Sequence, residues 1–308
     1  MSAEPDGGRG YESWFLSARR PDAGRGLWIR RTVHRVAGRA PVTALWCTAF
    51  TGTTAVAVKE LVPVAAPAGA AGAHEFQGSA EFGGRRHSWR LRIDAAEAAL
   101  RPLRPSVLYR TPLPRTKLEV PVPDGTVHGM LDVDGDPWPI DGWAATVGHN
   151  WGTEHAERWI WVHAARLGGP VRWFDLVLAQ VRVGGVRSPW LATGSARVGD
   201  ALVPLGGLGR RATAEVASPG SVRVTVAVPG GRLRIEASAG GRPAIDVRYR
   251  DPSGGTRDVV HSAVVDVRTQ LNRPGAPGRA GGAGFGALEV GRADPWPGRR
   301  PCALPLED

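Results

Sequence analysis

The sequence predicts an all-β protein built as two consecutive antiparallel barrel or sandwich domains. Three observations carry this reading. Runs of five to ten residues rich in Val, Leu, Trp and Arg recur along the whole chain, separated by clusters of Gly, Pro and Asp. Helical periodicity is nearly absent; the one compact helix-like segment is Asp94–Leu100, opened by a capping-type Asp and closed by Arg101-Pro102. Finally, 308 residues with 42% hydrophobic content suffice for a substantial core, and a prior of about 150 residues per domain gives two domains.

The strands are expected in chain order. The first half reads as Tyr11–Ser17, Gly26–His34, Val42–Phe50, Ala55–Val62, His87–Ile93 and Thr126–Val133. The second reads as Arg158–Leu167, Trp173–Val183, Trp190–Val198, Ser221–Val228, Arg232–Ala237, Ala244–Arg250 and Thr256–Leu271. Turn signals such as Pro229-Gly230-Gly231 and Asp251-Pro252-Ser253-Gly254-Gly255 fall between them, where hairpin connections belong. The densest turn cluster, Asp132–Gly142, suggests a division into domains 1–137 and 138–308. Pro274–Gly286 is Gly/Pro/Ala-rich and reads as a loose loop before a last strand at Gly286–Val290.

Composition narrows the function classes. The net charge of +10 invites a nucleic-acid reading, but only Lys59 and Lys117 of the 39 basic residues are lysines. The arginines are scattered singly or in pairs with no basic run and no aromatic-interleaved stripe, so no nucleic-acid partner is expected. Peripheral contact with a membrane surface stays compatible with the charge. Cys47 and Cys302 support neither a disulfide scaffold nor a thiolate metal site. Met1–Gly10 lacks the form of a signal peptide and no stretch of 18 apolar residues occurs, so the expected location is the cytoplasm.

Standard catalytic signatures are missing. There is no G-x-S-x-G elbow, H-E-x-x-H, Walker loop or C-x-x-C. Gly282-Ala283-Gly284-Phe285-Gly286 follows no expected strand and opens no helix, which argues against a dinucleotide fingerprint. His149, His155 and His163 lie close in sequence, but their spacing suits no zinc pattern on one element, so no metal is expected.

The informative segment is Gly148–His163, GHNWGTEHAERWIWVH. In an extended strand Trp159, Trp161 and His163 share one face while Ile160 and Val162 share the other. By the same rule Trp173 pairs with Asp175, Glu12 with Trp14, and Trp28 with Arg30. Each site thus combines an indole with an ionisable group. One reading is that the indoles fill cores and the charges form internal ion pairs, such as Glu12 with Arg30. The other is a pocket inside a barrel, walled by indoles, whose acid keeps its proton because apolar surroundings disfavour the charge. Such an acid could protonate an alkene or epoxide, and indole faces would attract the developing cation.

The G-H-N-W-G stretch followed by W-x-W, with the early Tyr-Glu-Ser-Trp-Phe and Leu-Trp-Ile-Arg, resembles the lipocalin-like superfamily of tocopherol cyclase and carotenoid hydratase (hydroxyneurosporene synthase). The resemblance implies two successive lipocalin-like, calycin-type β-barrel domains and a hydrophobic isoprenoid or polyketide-like ligand. In the hydratase branch a His-x-Trp pair and a later aromatic-x-Asp pair are linked to activity; His149-x-Trp151 and Trp173-x-Asp175 match them in order and spacing, with Trp173 where tyrosine is expected.

The resulting expectation is a binding protein for a hydrophobic small molecule, acting as an acid-promoted cyclase or hydratase without metal or redox cofactor. Asp175 is the first candidate for proton donor and Glu12 the second, while His149 would orient or recycle the proton. Trp14, Trp28, Asn150, Trp151, Trp159, Trp161, His163 and Trp173 would line the ligand site, and Arg30 would hold a polar ligand end. A non-catalytic carrier of a lipid or secondary metabolite, and a structural protein with a side-chain-filled interior, are the alternatives.

Overall fold

The computed structural model describes residues 8–22, 24–64, 70–273 and 280–307. The first half contributes β1 (Gly10–Arg19), β2 (Arg25–Arg35), β3 (Val42–Thr51), β4 (Thr54–Pro63), β5 (Ala70–Ala71), β6 (Glu75–Phe82), β7 (Arg85–Ala95), β8 (Thr116–Val133) and β9 (Asp136–Gly152). They form one antiparallel sheet in the order β4-β3-β2-β1-β9-β8-β7-β6-β5. Its ends curl toward each other, and the Glu81 amide donates to the Glu60 carboxylate across the gap between β6 and β4.

The second half contributes β10 (Arg158–Ala164), β11 (Val171–Gln180), a small ladder of β12 (Arg182–Val183) with β13 (Val186–Arg187), then β14 (Leu191–Val198), β15 (Ala201–Gly206), β16 (Thr213–Ser218), β17 (Ser221–Val228), β18 (Gly231–Ser238), β19 (Ile245–Arg250), β20 (Thr256–Asn272) and β21 (Ala280–Arg292). The order is β15-β14-β11-β10-β21-β20-β18-β17-β16, with β19 also on β20. Again the sheet curls until β15 nears β17, a nearly closed antiparallel barrel. Both sheets obey one rule: the first strand pairs with the last, β1 with β9 and β10 with β21.

Side-chain alternation explains why these residues make these strands. In the first sheet Leu16, Leu27, Ile29, Leu45, Trp89, Trp143 and Val147 point inward and form one core. Ile160, Val162, Phe174, Leu176, Val224 and Leu233 do the same in the second. Strands β17 to β19 alternate buried and part-exposed residues, because only one of their faces is covered. Strands β1 to β3 are instead buried on both faces. Their outer face lies against the second sheet, where Trp28, Ala44, Trp46 and Phe50 pack on Trp159, Val247, Tyr249, Val259 and Val264. A third core therefore fills the seam between the sheets.

The structure corrects four expectations. Asp94–Leu100 is not a helix: Asp94 pairs with Thr126 in the β7–β8 ladder, Ala96 donates to Asp124, and Leu100 bridges Val120. A seven-residue run cannot offset the cost of nucleating a helix when a neighbouring strand offers partners for its backbone. The only helical element among the described residues is a 3-10 turn at Ser106–Tyr109. The turn cluster at Asp132–Gly142 does not separate the sheets. Its tight turn is Asp134-Gly135, both with positive φ (56° and 88°), capped by the Asp132 carboxylate on the Gly135 amide. Pro137, Trp138, Pro139 and Ile140 then continue as β9 beside Leu131 and its neighbours, so the first sheet runs to Gly152 and the second begins at Arg158, beyond the 137/138 division. Six strands, β5, β6, β9, β13, β15 and β16, lie where no strand was expected. The Gly-rich stretch is strand from Ala280 onward, whereas its residues 274–279 lie outside the described residues.

Glycine matters most where β9 crosses β1. Gly148 lies opposite Phe15, and a Cβ there would stand 2.1 Å from the Phe15 ring. Its backbone is ordinary strand, so the requirement is space alone. A Gly148→Ala substitution should destabilise by about 1–3 kcal/mol through overpacking, read as a lowered midpoint in thermal or urea unfolding. A wild-type midpoint would show that Phe15 moves aside freely.

Candidate functional site

The alternation of β1, β2 and β9 sorts the candidate residues onto two sides of the first sheet. Glu12, Trp14, His149 and Trp151 share the inner side with Leu16 and Val147. His149 is sandwiched there, with the Trp14 ring 4.1 Å and the Trp151 ring 4.8 Å away. Its Nε2 lies 3.0 Å from Glu12 and its Nδ1 3.8 Å from Glu119. The hydrogen bond from His149 holds the Glu12 carboxyl below its usual range. Glu12 is thus an ionised, half-exposed carboxylate at neutral pH, not a proton store. Its partner is His149, and the expected ion pair with Arg30 does not form because Arg30 faces the opposite side.

That outer side meets the second sheet. Trp28, Arg30, Thr32 and His34 of β2, with Tyr11, Ser13, Phe15, Ser17 and Arg19 of β1, face Trp159, Trp161 and His163 of β10 and the neighbouring strands β19, β20 and β21. Ile160 and Val162, the other face of β10, belong to the second barrel's core. The indole face therefore lines the seam between the sheets rather than the inside of a barrel. Arg30 is buried but satisfied: its Nε donates to Ser13 (2.7 Å) and Thr32 (3.0 Å), and its guanidinium lies over Tyr249, 4.1 Å from the ring centre.

Carboxylates in this seam fall into two kinds. Burial alone would raise the Glu289 carboxyl. His261, the Arg30 charge and the Trp159 N–H, which donates at 2.9 Å, outweigh it and hold the group at about 2. The Tyr249 hydroxyl also donates to Glu289, at 2.8 Å. Asp251 is similar: burial pushes it up, yet His155, Ser253 and Arg257 hold it well below the usual range. These two are fixed, ionised anchors. Asp175 is the reverse. Only 3% exposed, it receives one hydrogen bond, from the Trp161 indole N–H at 2.9 Å. Burial dominates and raises its carboxyl from 3.8 to about 7, the indole bond lowering it only in part. No cation is among the groups that set it.

The surroundings of Asp175 are aromatic. Trp161 meets Phe15 edge-on (5.1 Å) and lies parallel to His261 (6.1 Å, 11°), which in turn contacts Trp28 at 4.6 Å. Across the strand pair, Asp175 stands opposite His163 and Ser195. The segment around Glu97–Leu103 crosses this end of the second sheet. Trp173 donates to Glu97 (3.0 Å) and the Thr193 hydroxyl to the Pro102 carbonyl (2.7 Å).

The structure thus brings Trp28, Trp159, Trp161, His163 and Asp175 to one seam, with Arg30 and Asn150 on the facing sheet. It does not bring His149, Trp151, Glu12 or Trp14 there: the β1–β9 pair stands between them and Asp175. A His149–Asp175 proton relay has no direct path. Trp173 shares the face of Asp175 but is turned to Glu97. Phe15, Arg19, Tyr249, His261 and Glu289 were not singled out in the sequence, although the odd-numbered face of β1 (Tyr11, Ser13, Phe15, Ser17, Arg19) follows from the same alternation. Two open clefts lie elsewhere. One of 540 Å³ is lined by Gln77, Ser79, Trp89, Arg90 and Met130 among others, and one of 290 Å³ by Arg9, Arg115, Thr153, Glu154 and Ser253. Neither is lined by Asp175 or the seam indoles.

No family model matches the chain. Over 305 residues it is 26% identical to the uncharacterized proteins MT0513 and Rv0493c of Mycobacterium tuberculosis (strains CDC 1551 and H37Rv), covering 92% of this chain and 85% of theirs. Among solved structures it is similar to a Nitrosomonas europaea protein assigned as AttH (NE1406), with a TM-score of 0.57 and 13% identity over 94% of this chain and 95% of that one. It is also similar to CghA, with a TM-score of 0.61 and 10% identity over 92% and 88% of the chains. CghA with Sch210972 gives 0.56 and 11% over 94% and 90%. These likenesses are of fold: the chain shares the lipocalin-like antiparallel architecture of those structures.

The Asp175 environment makes stability pH-dependent in a defined direction. Unfolded, the carboxyl ionises near 3.8; folded, it keeps its proton to about 7. Between those values the folded state holds the extra proton, so stability falls as pH rises from about 4 to 7 and stays lower above. Asp175→Asn should remove this decline, becoming the more stable form at pH 8 by up to about 4 kcal/mol. Urea unfolding of both proteins at pH 4.5 and 8 checks it; equal pH dependence would mean that Asp175 is ionised in the fold.

Proposed function

We propose that this protein binds a hydrophobic small molecule, of isoprenoid or polyketide type, along the aromatic seam between its sheets, and that Asp175 protonates it in a cyclisation or hydration. The observation that carries the reading is the Asp175 carboxyl, buried among aromatic rings, free of any cationic partner and holding its proton to about 7. A general acid works best when its pKa lies near the working pH, and burial without a counter-charge is the physical way to bring a carboxylic acid there. Trp161, Trp28 and Phe15 would present ring faces to a cation formed on protonation, an attraction worth about 2 kcal/mol when desolvated. The ionised Glu289 would reinforce this from the far side of the seam. No metal or redox group is needed for such a step. The likeness to CghA, which has been seen with Sch210972, agrees with small-molecule binding on this architecture.

A second reading has an observation of its own. The seam rings contact one another directly, and neither open cleft reaches Asp175. This favours a structural interior in which Asp175 is packing material. The two readings separate on bound material and on turnover. Purified wild-type protein is incubated with a hydrophobic extract of the source cells, and the retained and released compounds are followed by mass spectrometry. On the catalytic reading a compound is retained and converted to one that differs by water or by a new ring. Asp175→Asn should keep retention within about tenfold but lose conversion. Conversion at the wild-type rate by the Asn variant removes Asp175 as the acid. Retention of nothing by either protein favours the structural interior.

A further inference from the structure

Arg19, the last residue of β1, carries a charge that the fold does not neutralise. Its side chain faces the seam and is only 2% exposed. Its one side-chain hydrogen bond runs from Nη2 to Nδ1 of His163, at 3.0 Å. The other ring nitrogen, Nε2, lies 2.8 Å from the Pro123 carbonyl, which can only accept. Nε2 therefore carries the ring hydrogen, and Nδ1 receives the arginine N–H through its lone pair. His163 is accordingly neutral, burial first and the Arg19 charge second having pushed it down to about 3. It satisfies one donor of Arg19 and offers no negative charge.

The remaining donors are unused. Nε and Nη1 of Arg19 are buried without a hydrogen-bond partner, as is the hydroxyl of Ser17, two residues earlier on the same face. The strand neighbours of Arg19 are Gly26 and Ala144, which have no polar side chain to lend. The charge of Asp124 is felt from a distance, but among the described residues no carboxylate comes within ion-pair range of Arg19. Burial even lowers this guanidinium to about 10. Contrast the other buried arginine of the seam: Arg30 has two hydroxyl acceptors, a tyrosine face and the Glu289 charge. A buried cation without a counter-ion costs several kcal/mol, and nothing in the packing of Arg19 returns that cost.

We propose that Arg19, with the Ser17 hydroxyl beside it, binds a carboxylate of the seam's ligand. Nε and Nη1 point to different edges of the guanidinium, so a carboxylate would take one of these N–H groups on one oxygen and a hydrogen bond from the nearby Ser17 hydroxyl on the other, a charge-assisted contact to a delocalised, permanently charged group. The placement also fits the acid chemistry. His163, which holds Arg19, stands directly opposite Asp175 on the neighbouring strand. A substrate anchored by its carboxylate at Arg19 would have its apolar part beside Trp161 and Asp175. The arginine is nevertheless not among the groups that shift Asp175, so the anchor leaves the acid protonated. The substrate class is then narrowed to hydrophobic molecules bearing a carboxylic acid. This rests on the reading that the seam binds a small molecule.

The test uses two matched probes on the full chain, 2-naphthoate and neutral 2-naphthamide, titrated calorimetrically at pH 7.5. Wild type should bind the naphthoate at least about tenfold more tightly, the contrast a charge-assisted pair supplies. Arg19→Met should bring naphthoate binding down to the naphthamide level while leaving naphthamide unchanged. The same variant should melt no lower than wild type without ligand, because it removes an uncompensated buried charge. Equal binding of both probes by wild type, or an acid preference that survives in Arg19→Met, overturns the assignment and leaves the seam reading standing. An Arg19→Met protein that melts lower or does not fold also overturns it, since the guanidinium would then serve the fold through His163. Binding of neither probe overturns the seam reading itself.

Discussion

Everything in this molecule follows from the burial of both faces of strands β1, β2 and β3. A strand covered on one side alternates apolar and polar residues and leaves its charges in water. Here the second side is covered as well, so the polar residues of that side are taken into the interior whether or not they help the fold. Tyr11, Ser13, Arg19, Arg30, Thr32 and His34 are all buried for this reason. Their partners from the second sheet, His163, Asp175 and His261, are buried by the same contact. The seam is consequently an interior with the composition of a surface, and its electrostatics must be resolved group by group.

That resolution is uneven, and the unevenness carries the chemistry. Glu289 is given an indole N–H, a phenol and an arginine charge; Asp251 is given a histidine, a serine and an arginine. Both stay ionised and act as fixed struts. Asp175 is given one neutral donor and keeps its proton. Carboxylic acids within one interior, driven apart in their proton affinity by their neighbours, are the pattern by which one protein supplies both an acid and a fixed negative charge at the same pH. Asp175 contributes less to stability as the pH rises, so its retention as an aspartate has no obvious benefit for folding alone.

Much of the fold was legible in the sequence because the signal is local. Turn residues such as Pro229-Gly230-Gly231 punctuate runs whose alternation fixes which side chains share a face. The pairings of Trp159 with Trp161 and His163, and of Trp173 with Asp175, follow directly from that alternation. What was not legible is which side each face turns to. Alternation places Glu12 with Trp14 and Trp28 with Arg30, but it says nothing of sheet topology. The β1–β2 register then sets the two pairs on opposite sides. The same gap assigned the indoles of β10 to a barrel interior, which Ile160 and Val162 in fact occupy. The segment at Asp132–Gly142 misleads for a related reason. Its prolines mimic a linker, yet they sit in a strand whose hairpin needs only Asp134-Gly135 for the turn. Helical letters at Asp94–Leu100 fail because a nearby strand outcompetes a short helix for the backbone.

The close approach of the sheets also decides where large rings can lie. Trp159 lies across Gly291, where an added Cβ would meet the indole at 2.1 Å, and Phe15 lies across Gly148 in the same way. In both cases the aromatic residue and the glycine sit on neighbouring strands of one sheet, so the ring rests flat on bare backbone. This keeps the rings low on their sheets. Between the sheets, rings from the two sides still meet, Phe15 against Trp161 and Trp28 against His261. A seam built this way can hold a protonated acid and an uncompensated guanidinium close together without either cancelling the other. Their separation is enforced by His163, which takes one hydrogen bond from the arginine and gives its own proton to the Pro123 carbonyl. The neutral imidazole is thus the insulating member of the set. It orients the cation and lends it no charge, and it leaves Asp175 to be governed by burial.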